Sequence, residues 1–210
     1  MQEYKMIFIG GVPGVGKTSL SGILSKKLGI DLVLSGDYLR EFIRPLLKDQ
    51  ESIKLLSTSV YDSWKAFGDK SRDNIIKGFE GQSKIICEGL AAAFSRAHKN
   101  GESLIIESLY VNKDLLSLMK SLGVNASYLY ISDQGIHAKR LNERGLYTHF
   151  KSPGDRLVAQ LDVYREIMGY SVELFKNAGF PIFDNMSFAD TSDSLYKHYA
   201  SIYSIGKETD

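Results

Sequence analysis

A lysine and a threonine close a glycine-rich stretch near the start of the chain, and these residue types at this spacing suit phosphate chemistry. Gly11, Gly16, Lys17 and Thr18 fit the pattern G-x-x-x-x-G-K-[ST] without a gap. Glycines let the backbone approach a phosphate chain closely, with successive N–H groups turned inward. The lysine would bridge the β- and γ-phosphates of ATP, and the threonine hydroxyl would ligate Mg²⁺.

The flanking sequence decides whether this pattern is a phosphate loop or a chance glycine turn before a lysine. Residues 4–9 form an apolar, strand-like run, and residues 19–28 carry leucine and isoleucine at helical spacing. Strand, glycine loop and helix is the order that cradles nucleotide phosphates, so we favour the phosphate loop. The residues expected to bind the nucleotide are Gly11, Val12, Pro13, Gly14, Val15, Gly16, Lys17, Thr18 and Ser19.

Two carboxylates follow predicted strands, Asp37 after residues 30–34 and Glu107 at the end of residues 103–107. Ligands of open α/β sheets bind at the carboxyl ends of the strands. We expect Glu107 to hold Mg²⁺ with Thr18, directly or through water, a surface charge being the alternative. Asp37 could activate an acceptor hydroxyl or hold a magnesium-bound water, could cap the following helix, or could do both.

A basic stripe and an aromatic pair follow Asp37. Arg40 and Arg44 are four residues apart in a predicted helix over 38–47, where they could clamp an anionic acceptor or form a solvated face. Tyr61 and Trp64 are three residues apart in a predicted helix over 52–66. Such a pair packs in the core by default, and a wall of the acceptor site is the second interpretation.

A second basic helix is predicted over 137–145, with Arg140 and Arg144 four residues apart. It could be a lid whose arginines neutralise the transferred phosphoryl group, or a solvated helix with ion pairs. We expect residues 147–155 to form the lid loop. His137 and His149 lack metal-ligand spacing, so we expect them to be surface or capping groups.

Strand and helix patterns alternate along the chain, which predicts an α/β fold with a parallel sheet. We expect a three-layer α/β/α P-loop NTPase architecture in a single domain over 1–210, with a helical acceptor-binding insert at about 50–100 and a basic lid at about 134–155. The five strands are predicted at 4–9, 30–34, 103–107, 127–131 and 180–183.

Composition narrows the function classes. The 210 residues include 26 Lys plus Arg and 25 Asp plus Glu, and this near-neutral balance disfavours a nucleic-acid partner. Cys87 is the only cysteine, which excludes an internal disulfide and suits a reducing cytoplasm. No stretch approaches the ~18 apolar residues of a membrane span, and we expect no signal peptide. The sequence leaves a homodimer open.

The chain resembles the small P-loop kinases, and within them the archaeal 2-phosphoglycerate kinases, over nearly its whole length. The segments that carry the resemblance are the loop 10–18, Asp37 with Arg40-Glu41, Ser59-x-Tyr61-x-x-Trp64, Gly78-Phe79, the strand 103–107, residues 131–133 with His137 and the arginines after it, and Asp184-Asn185.

The resemblance implies ATP and Mg²⁺ as cofactors and a phosphorylated hydroxy acid as acceptor. We therefore expect an ATP-dependent kinase for a small anionic acceptor such as 2-phosphoglycerate. Two alternatives stay open at this point. One is a kinase for a nucleoside, nucleotide, sugar or RNA-linked hydroxyl, since fold does not fix the acceptor. The other is a nucleotide-binding switch that acts through a protein partner.

Overall fold

Five parallel strands form the centre of the molecule, in the order β2-β3-β1-β4-β5. The computed structural model describes residues 4–147, 151 and 154–203. The strand order and the parallel pairing confirm the predicted five-stranded parallel sheet. The strands are β1 (Met6–Gly10), β2 (Val33–Ser35), β3 (Leu104–Ser108), β4 (Asn125–Tyr130) and β5 (Ile182–Asp184).

The helices form two groups because the connection from β1 to β2 runs along the sheet in the opposite direction to the others. On one side α1 packs with α9, and on the other α4 packs with α5 and α8. The helices are α1 (Lys17–Leu28), α2 (Gly36–Ile43), α3 (Gln50–Ser57), α4 (Arg72–Asn100), α5 (Lys113–Ser121), α6 (Gln134–Tyr147), α7 (Asp155–Val158), α8 (Leu161–Asn177) and α9 (Phe188–Ile202).

The long helix α4 covers the sheet as well as the region before it. Phe79, Ile86, Leu90 and Phe94 are fully buried along its inner face, and Phe94 meets Phe8 of β1 edge to face. Burial of such side chains stabilises each by about 1.5–3 kcal/mol relative to exposure. The second half of the predicted insert is therefore part of the core layer, and residues 50–66 are left to shape the site.

Several predicted helices are shorter than their sequence patterns indicated. The predicted helix 38–47 ends at Ile43, and a 3₁₀ helix over Arg44–Leu46 follows, because Pro45 cannot donate the next helical hydrogen bond. The predicted helix 52–66 divides into α3 and a 3₁₀ helix over Val60–Ala66, separated by extended backbone at Thr58 and Ser59.

The strand register brings the chemistry-bearing segments to one edge of the sheet. Ser35 of β2 is paired with Glu107 of β3, and Gly10 of β1 is paired with Ser108. The phosphate loop leaves β1 and helix α2 leaves β2 at this same edge, as open α/β sheets require of their ligand sites. Within the described residues, no helix is long and apolar enough to span a membrane.

Candidate active site

The glycine-rich loop between β1 and α1 has the backbone of an anion-binding nest. Gly14 and Gly16 adopt φ of +85° and +92°, a left-handed conformation that glycine alone adopts at little cost. Pro13 has no N–H, and among the described residues no backbone carbonyl accepts a hydrogen bond from the N–H groups of Val12, Gly14, Val15 and Gly16. These donors lie at the N-terminus of α1, so the loop can bind phosphate through both its N–H groups and the helix dipole.

Thr18, Glu107 and Lys17 meet beside this loop. The Thr18 hydroxyl donates to Oε1 of Glu107 at 3.2 Å, and the Lys17 ammonium lies 4.0 Å from Oε2 of the same carboxylate. Glu107 is only 6 % exposed, so a partner cation offsets the cost of burying its charge. Lys17 also donates to the carbonyl of Val12 at 3.2 Å.

The oxygen donors of Thr18 and Glu107 are of the hard type that Mg²⁺ prefers. Within the part of the chain that the structure describes, no three His, Cys, Asp or Glu side chains cluster as a metal cage. Two protein oxygens fit a magnesium ion that takes its other ligands from phosphate and water, as is usual for this ion. The pair therefore suits a nucleotide-bound Mg²⁺ rather than a structural metal.

A cavity of about 340 Å³ opens beside the phosphate loop. Pro13 of the loop, Asp37 and Tyr61 lie in its wall, as does Arg144 from α6. Asp37 is an exposed residue in the first turn of α2, whose N-cap is Ser35, so the alternative in which Asp37 caps the helix is wrong. The remaining lining residues are Tyr38, Arg40, Glu41, Ser59, Val60, Leu109, Tyr110, Arg156, Leu157 and Tyr164.

Two arginines on separate helices give this cavity its positive charge. Arg144 comes from α6, and Arg156 comes from the short α7, a residue for which no sequence pattern signalled a role. Burial lowers the pKa of the Arg144 guanidinium, the negative charge of Asp37 raises it, and Arg156 lowers it. Arg144 and Arg156 line the same cavity as Asp37, so both cations can face one anionic ligand there.

Arg40 lines the cavity but is largely committed to the protein. Its NH2 donates to the carbonyls of Leu56 and Thr58 at 2.7 and 2.8 Å, and its NH1 pairs with Glu41 at 2.6 Å. Its Nε is buried without a partner. Arg40 therefore holds the C-terminal end of α3 rather than forming a solvated face, and its role as a clamp on an acceptor stays a prediction.

Arg44 and Trp64 lie outside this cavity. The 3₁₀ turn at Pro45 places Arg44 beside a separate cavity with Leu47 and Ile53, and its guanidinium pairs with Glu41 at 2.8 Å. Trp64 packs against the core, as in the core-packing interpretation of the aromatic pair. Tyr61 alone of that pair reaches the cavity, where it meets Tyr164 edge to face.

The two arginines of α6 have different surroundings. Arg140 donates to the carbonyl of Met186, in the segment that follows β5, whereas Arg144 lines the cavity with Asp37. Burial lowers the pKa of Arg140, and Asp184 raises it. The predicted lid loop falls mostly outside the described residues, as does His149.

His137 was expected at the surface or at a helix cap, and that expectation is wrong. The side chain is fully buried against the phosphate loop, and its Nε2 lies 2.8 Å from the carbonyl oxygen of Pro13. A hydrogen bond to Asp133 begins the helix instead, since Oδ1 of Asp133 accepts from the N–H of Ile136 at 2.8 Å. Asn185, which follows β5, is likewise fully buried and donates to the carbonyl of Val15 at 2.8 Å.

Comparison with known protein families gives one match that includes the phosphate loop, Asp37 and Glu107. Residues 7–152 match the family model described as AAA domain. A mevalonate-3-phosphate 5-kinase of Thermoplasma acidophilum is 46% identical over 185 residues, which are 88% of this chain and 90% of that protein. A 2-phosphoglycerate kinase of Methanocaldococcus jannaschii is 30% identical over 90% of this chain, which spans only 60% of that relative's length.

Solved structures with the same fold include two shikimate kinases. The enzyme of Acinetobacter baumannii, solved with shikimate, superposes with a TM-score of 0.56 over 99% of this chain and 97% of its own. The enzyme of Bacteroides thetaiotaomicron gives a TM-score of 0.54 over 96% and 99%. Both are 14% identical to this chain, so they establish the likeness of the fold alone.

Proposed function

The chain belongs to the P-loop small-molecule kinases, and from that premise we propose that it transfers the γ-phosphoryl group of ATP to a phosphorylated hydroxy acid. The first candidate acceptor is mevalonate 3-phosphate, and the second is 2-phosphoglycerate. Both compounds carry a carboxylate, a phosphate and a free primary hydroxyl. The observation that carries the proposal is the cavity beside Pro13, where Asp37, Arg144 and Arg156 surround one space next to the phosphate loop.

The nucleotide side follows from the loop. The N–H groups of Val12, Gly14, Val15 and Gly16 would bind the phosphate oxygens, with Lys17 at the β- and γ-phosphates. Thr18 and Glu107 would hold Mg²⁺, which neutralises phosphate charge when it is bound. Ser19, at the start of α1, completes the set of residues that we assign to the nucleotide. Arg140 donates to the carbonyl of Met186, in the segment after β5. We assign it to the nucleotide side of the transferred phosphoryl group.

The acceptor side follows from the cavity. Arg144 and Arg156 would bind the carboxylate and the phosphate of the acceptor, since guanidinium groups match both in geometry and charge. Asp37 would orient the acceptor hydroxyl and accept its proton as the oxygen attacks the γ-phosphorus and ADP leaves. Such a transfer depends on positioning and charge neutralisation, which rigid elements supply here.

Two observations order the candidate acceptors. Identity to the mevalonate-3-phosphate 5-kinase is 46%, against 30% for the 2-phosphoglycerate kinase. The match to the mevalonate-3-phosphate 5-kinase also covers 88% of this chain and 90% of that protein. The cavity also offers apolar surface from Val60, Leu109 and Leu157. Mevalonate 3-phosphate has a methyl branch and two more methylene groups to bury there, and each such group contributes roughly 1–3 kcal/mol to discrimination. Glycerate-derived acceptors lack these groups.

The test is ADP release with a panel of acceptors: mevalonate 3-phosphate, mevalonate, 2- and 3-phosphoglycerate, nucleoside monophosphates and sugars. We expect the highest kcat/KM with mevalonate 3-phosphate and the loss of turnover in Lys17→Ala. Full turnover in Lys17→Ala would refute the assignment of the loop. ADP release that no acceptor stimulates would instead favour the nucleotide-binding switch, and preference for a sugar or nucleoside would favour the other kinase class.

A further inference from the structure

The outward-facing carbonyls of the phosphate loop have two buried side-chain partners that the proposed mechanism does not use. Nε2 of His137 lies 2.8 Å from the carbonyl oxygen of Pro13, and Nδ2 of Asn185 lies 2.8 Å from that of Val15. Both side chains are fully buried. They come from different elements, α6 and the segment after β5, and reach the loop across 124 and 170 residues of sequence.

The geometry of a peptide explains why these contacts matter for phosphate binding. Each peptide unit carries its N–H and its C=O on opposite sides, so N–H groups that face a phosphate turn their carbonyls toward the protein. A buried carbonyl without a partner costs about 1–3 kcal/mol. An outer donor therefore favours the one loop conformation in which the inner N–H groups converge.

We propose that His137 and Asn185 are positioning residues that hold the phosphate loop in its binding conformation before the nucleotide arrives. This inference rests on the nucleotide site of the proposed function and not on the identity of the acceptor. Donors that are fixed in advance raise affinity because binding then needs no ordering of the loop.

A third carbonyl of the loop provides a contrast. The Val12 carbonyl accepts from the ammonium of Lys17, which is the group that a bound phosphate would attract. Lys17 can therefore leave the Val12 carbonyl when phosphate binds. The proposed mechanism gives the imidazole of His137 and the amide of Asn185 no contact with phosphate. The loop also packs closely against both side chains, since a Cβ at Gly14 would lie 3.2 Å from Cδ2 of His137, and a Cβ at Gly16 would lie 2.7 Å from Nδ2 of Asn185.

The surroundings of His137 define which of its nitrogens donates. Burial lowers the pKa of His137, and the charges of Arg165, Lys17 and Arg140 lower it further, while the hydrogen bond to Pro13 acts in the opposite direction. The ring is therefore neutral at pH 7, and because a carbonyl can only accept, its proton lies on Nε2. Nδ1 is then an acceptor, and it is buried without a partner.

The experiment measures binding of Mg·ADP by calorimetry without an acceptor, alongside thermal stability. His137→Phe keeps a ring but no donor, and His137→Gln keeps an N–H donor but no ring. Asn185→Ala removes the second donor independently. We expect His137→Phe and Asn185→Ala to weaken binding about 5- to 30-fold, and His137→Gln to stay within about 3-fold of the wild type.

A matched control separates positioning from general stability. Tyr203→Phe loses the hydrogen bond of 3.1 Å that its hydroxyl donates to the carbonyl of Met6, at the end of β1 opposite the loop, and should lower the melting temperature without changing the affinity for Mg·ADP. Folded His137→Phe and Asn185→Ala with wild-type affinity would overturn the inference, as would His137→Gln that binds as weakly as His137→Phe. The expected affinity pattern in a protein that phosphorylates no tested acceptor would support the positioning role and refute the proposed acceptor.

Discussion

The hydroxyl of Thr18 lies 3.2 Å from a carboxylate oxygen of Glu107, although 89 residues separate the two in sequence. The contact exists because β1 and β3 are parallel neighbours, so the loop after the first strand meets the end of the third. Two oxygen donors and the nearby Lys17 ammonium thereby share one corner of the phosphate loop. The predicted pairing of Thr18 with Glu107 at one place thus has a direct geometric basis.

Glu107→Gln should leave the fold intact and lower kcat by about 10²-fold or more. The amide keeps the size of the side chain and can still bond to Thr18, but it removes the negative charge that would hold Mg²⁺. The measurement is kcat as a function of Mg²⁺ concentration, with the melting temperature as control. A variant with unchanged kcat and an unchanged Mg²⁺ requirement would remove Glu107 from the metal site.

Asp37→Asn should lower kcat by about 10²- to 10⁴-fold and leave the affinity for Mg·ADP near that of the wild type. The amide can still accept a hydrogen bond from the acceptor hydroxyl, but it cannot take its proton. Steady-state kinetics at saturating acceptor measures the first quantity, and calorimetry measures the second. If kcat fell less than about 3-fold, Asp37 would be a helix residue with no part in the transfer.

Arg156→Gln should raise the KM for the acceptor about 10-fold or more, because a guanidinium bonded to a carboxylate or phosphate contributes about 1.5–3 kcal/mol. The matched control is Arg44→Gln, an arginine that lies beside a different cavity. We expect its KM to stay within 2-fold of the wild type. Equal effects of the two substitutions would mean that net charge, rather than the cavity, determines acceptor binding.

Two glycines in helices should respond to alanine in opposite ways. A Cβ at Gly78 in α4 would lie 2.6 Å from backbone atoms of Ser63 and Trp64, so Gly78→Ala should lower the free energy of unfolding by about 1–3 kcal/mol. A Cβ at Gly22 in α1 would meet nothing within 4 Å, so Gly22→Ala should raise it by about 0.5–1 kcal/mol. Denaturant unfolding measures both, and a neutral Gly78→Ala would contradict the close packing of α4.

Acid should destabilise the wild type more than His137→Gln. The pKa of His137 is lowered in the folded protein, so the unfolded chain binds a proton first as the pH falls below about 6.5. The free energy of unfolding then falls by up to about 1.4 kcal/mol per pH unit, until the pH reaches the folded pKa. His198 is common to both proteins and cancels in the comparison. Parallel stability curves between pH 7 and 5 would contradict burial of a neutral imidazole.

Local patterns could predict the loop and the sheet. The spacing of Gly11, Gly16, Lys17 and Thr18 is a property of eight consecutive residues, and the strands are apolar runs of a few residues. The positions of Asp37 and Glu107 followed because parallel strands of one sheet share a ligand-binding edge. Each of these inferences needs only short-range sequence and one general rule of topology.

The residues that sequence reasoning missed or misplaced depend on long-range contacts. Helical spacing does put Arg44 beside Arg40, where both guanidiniums pair with Glu41, but it cannot tell which cavity each arginine lines. His137 gave no signal because its partner lies 124 residues away in the loop. Arg156 gave none because an exposed arginine on a four-residue helix has no periodicity to read. Only the folded backbone brings Arg156 to the cavity of Asp37.

Helix α6 touches both halves of the site. Its His137 bonds to Pro13, its Arg140 bonds to the carbonyl of Met186, and two turns after His137 its Arg144 reaches the cavity of Asp37. Hydrogen bonds link each turn of an α-helix to the next, so one continuous helix joins these three contacts. With the nucleotide and the acceptor bound as proposed, both ligands would contact side chains of α6, and a displacement of the helix by one of them would reach the other.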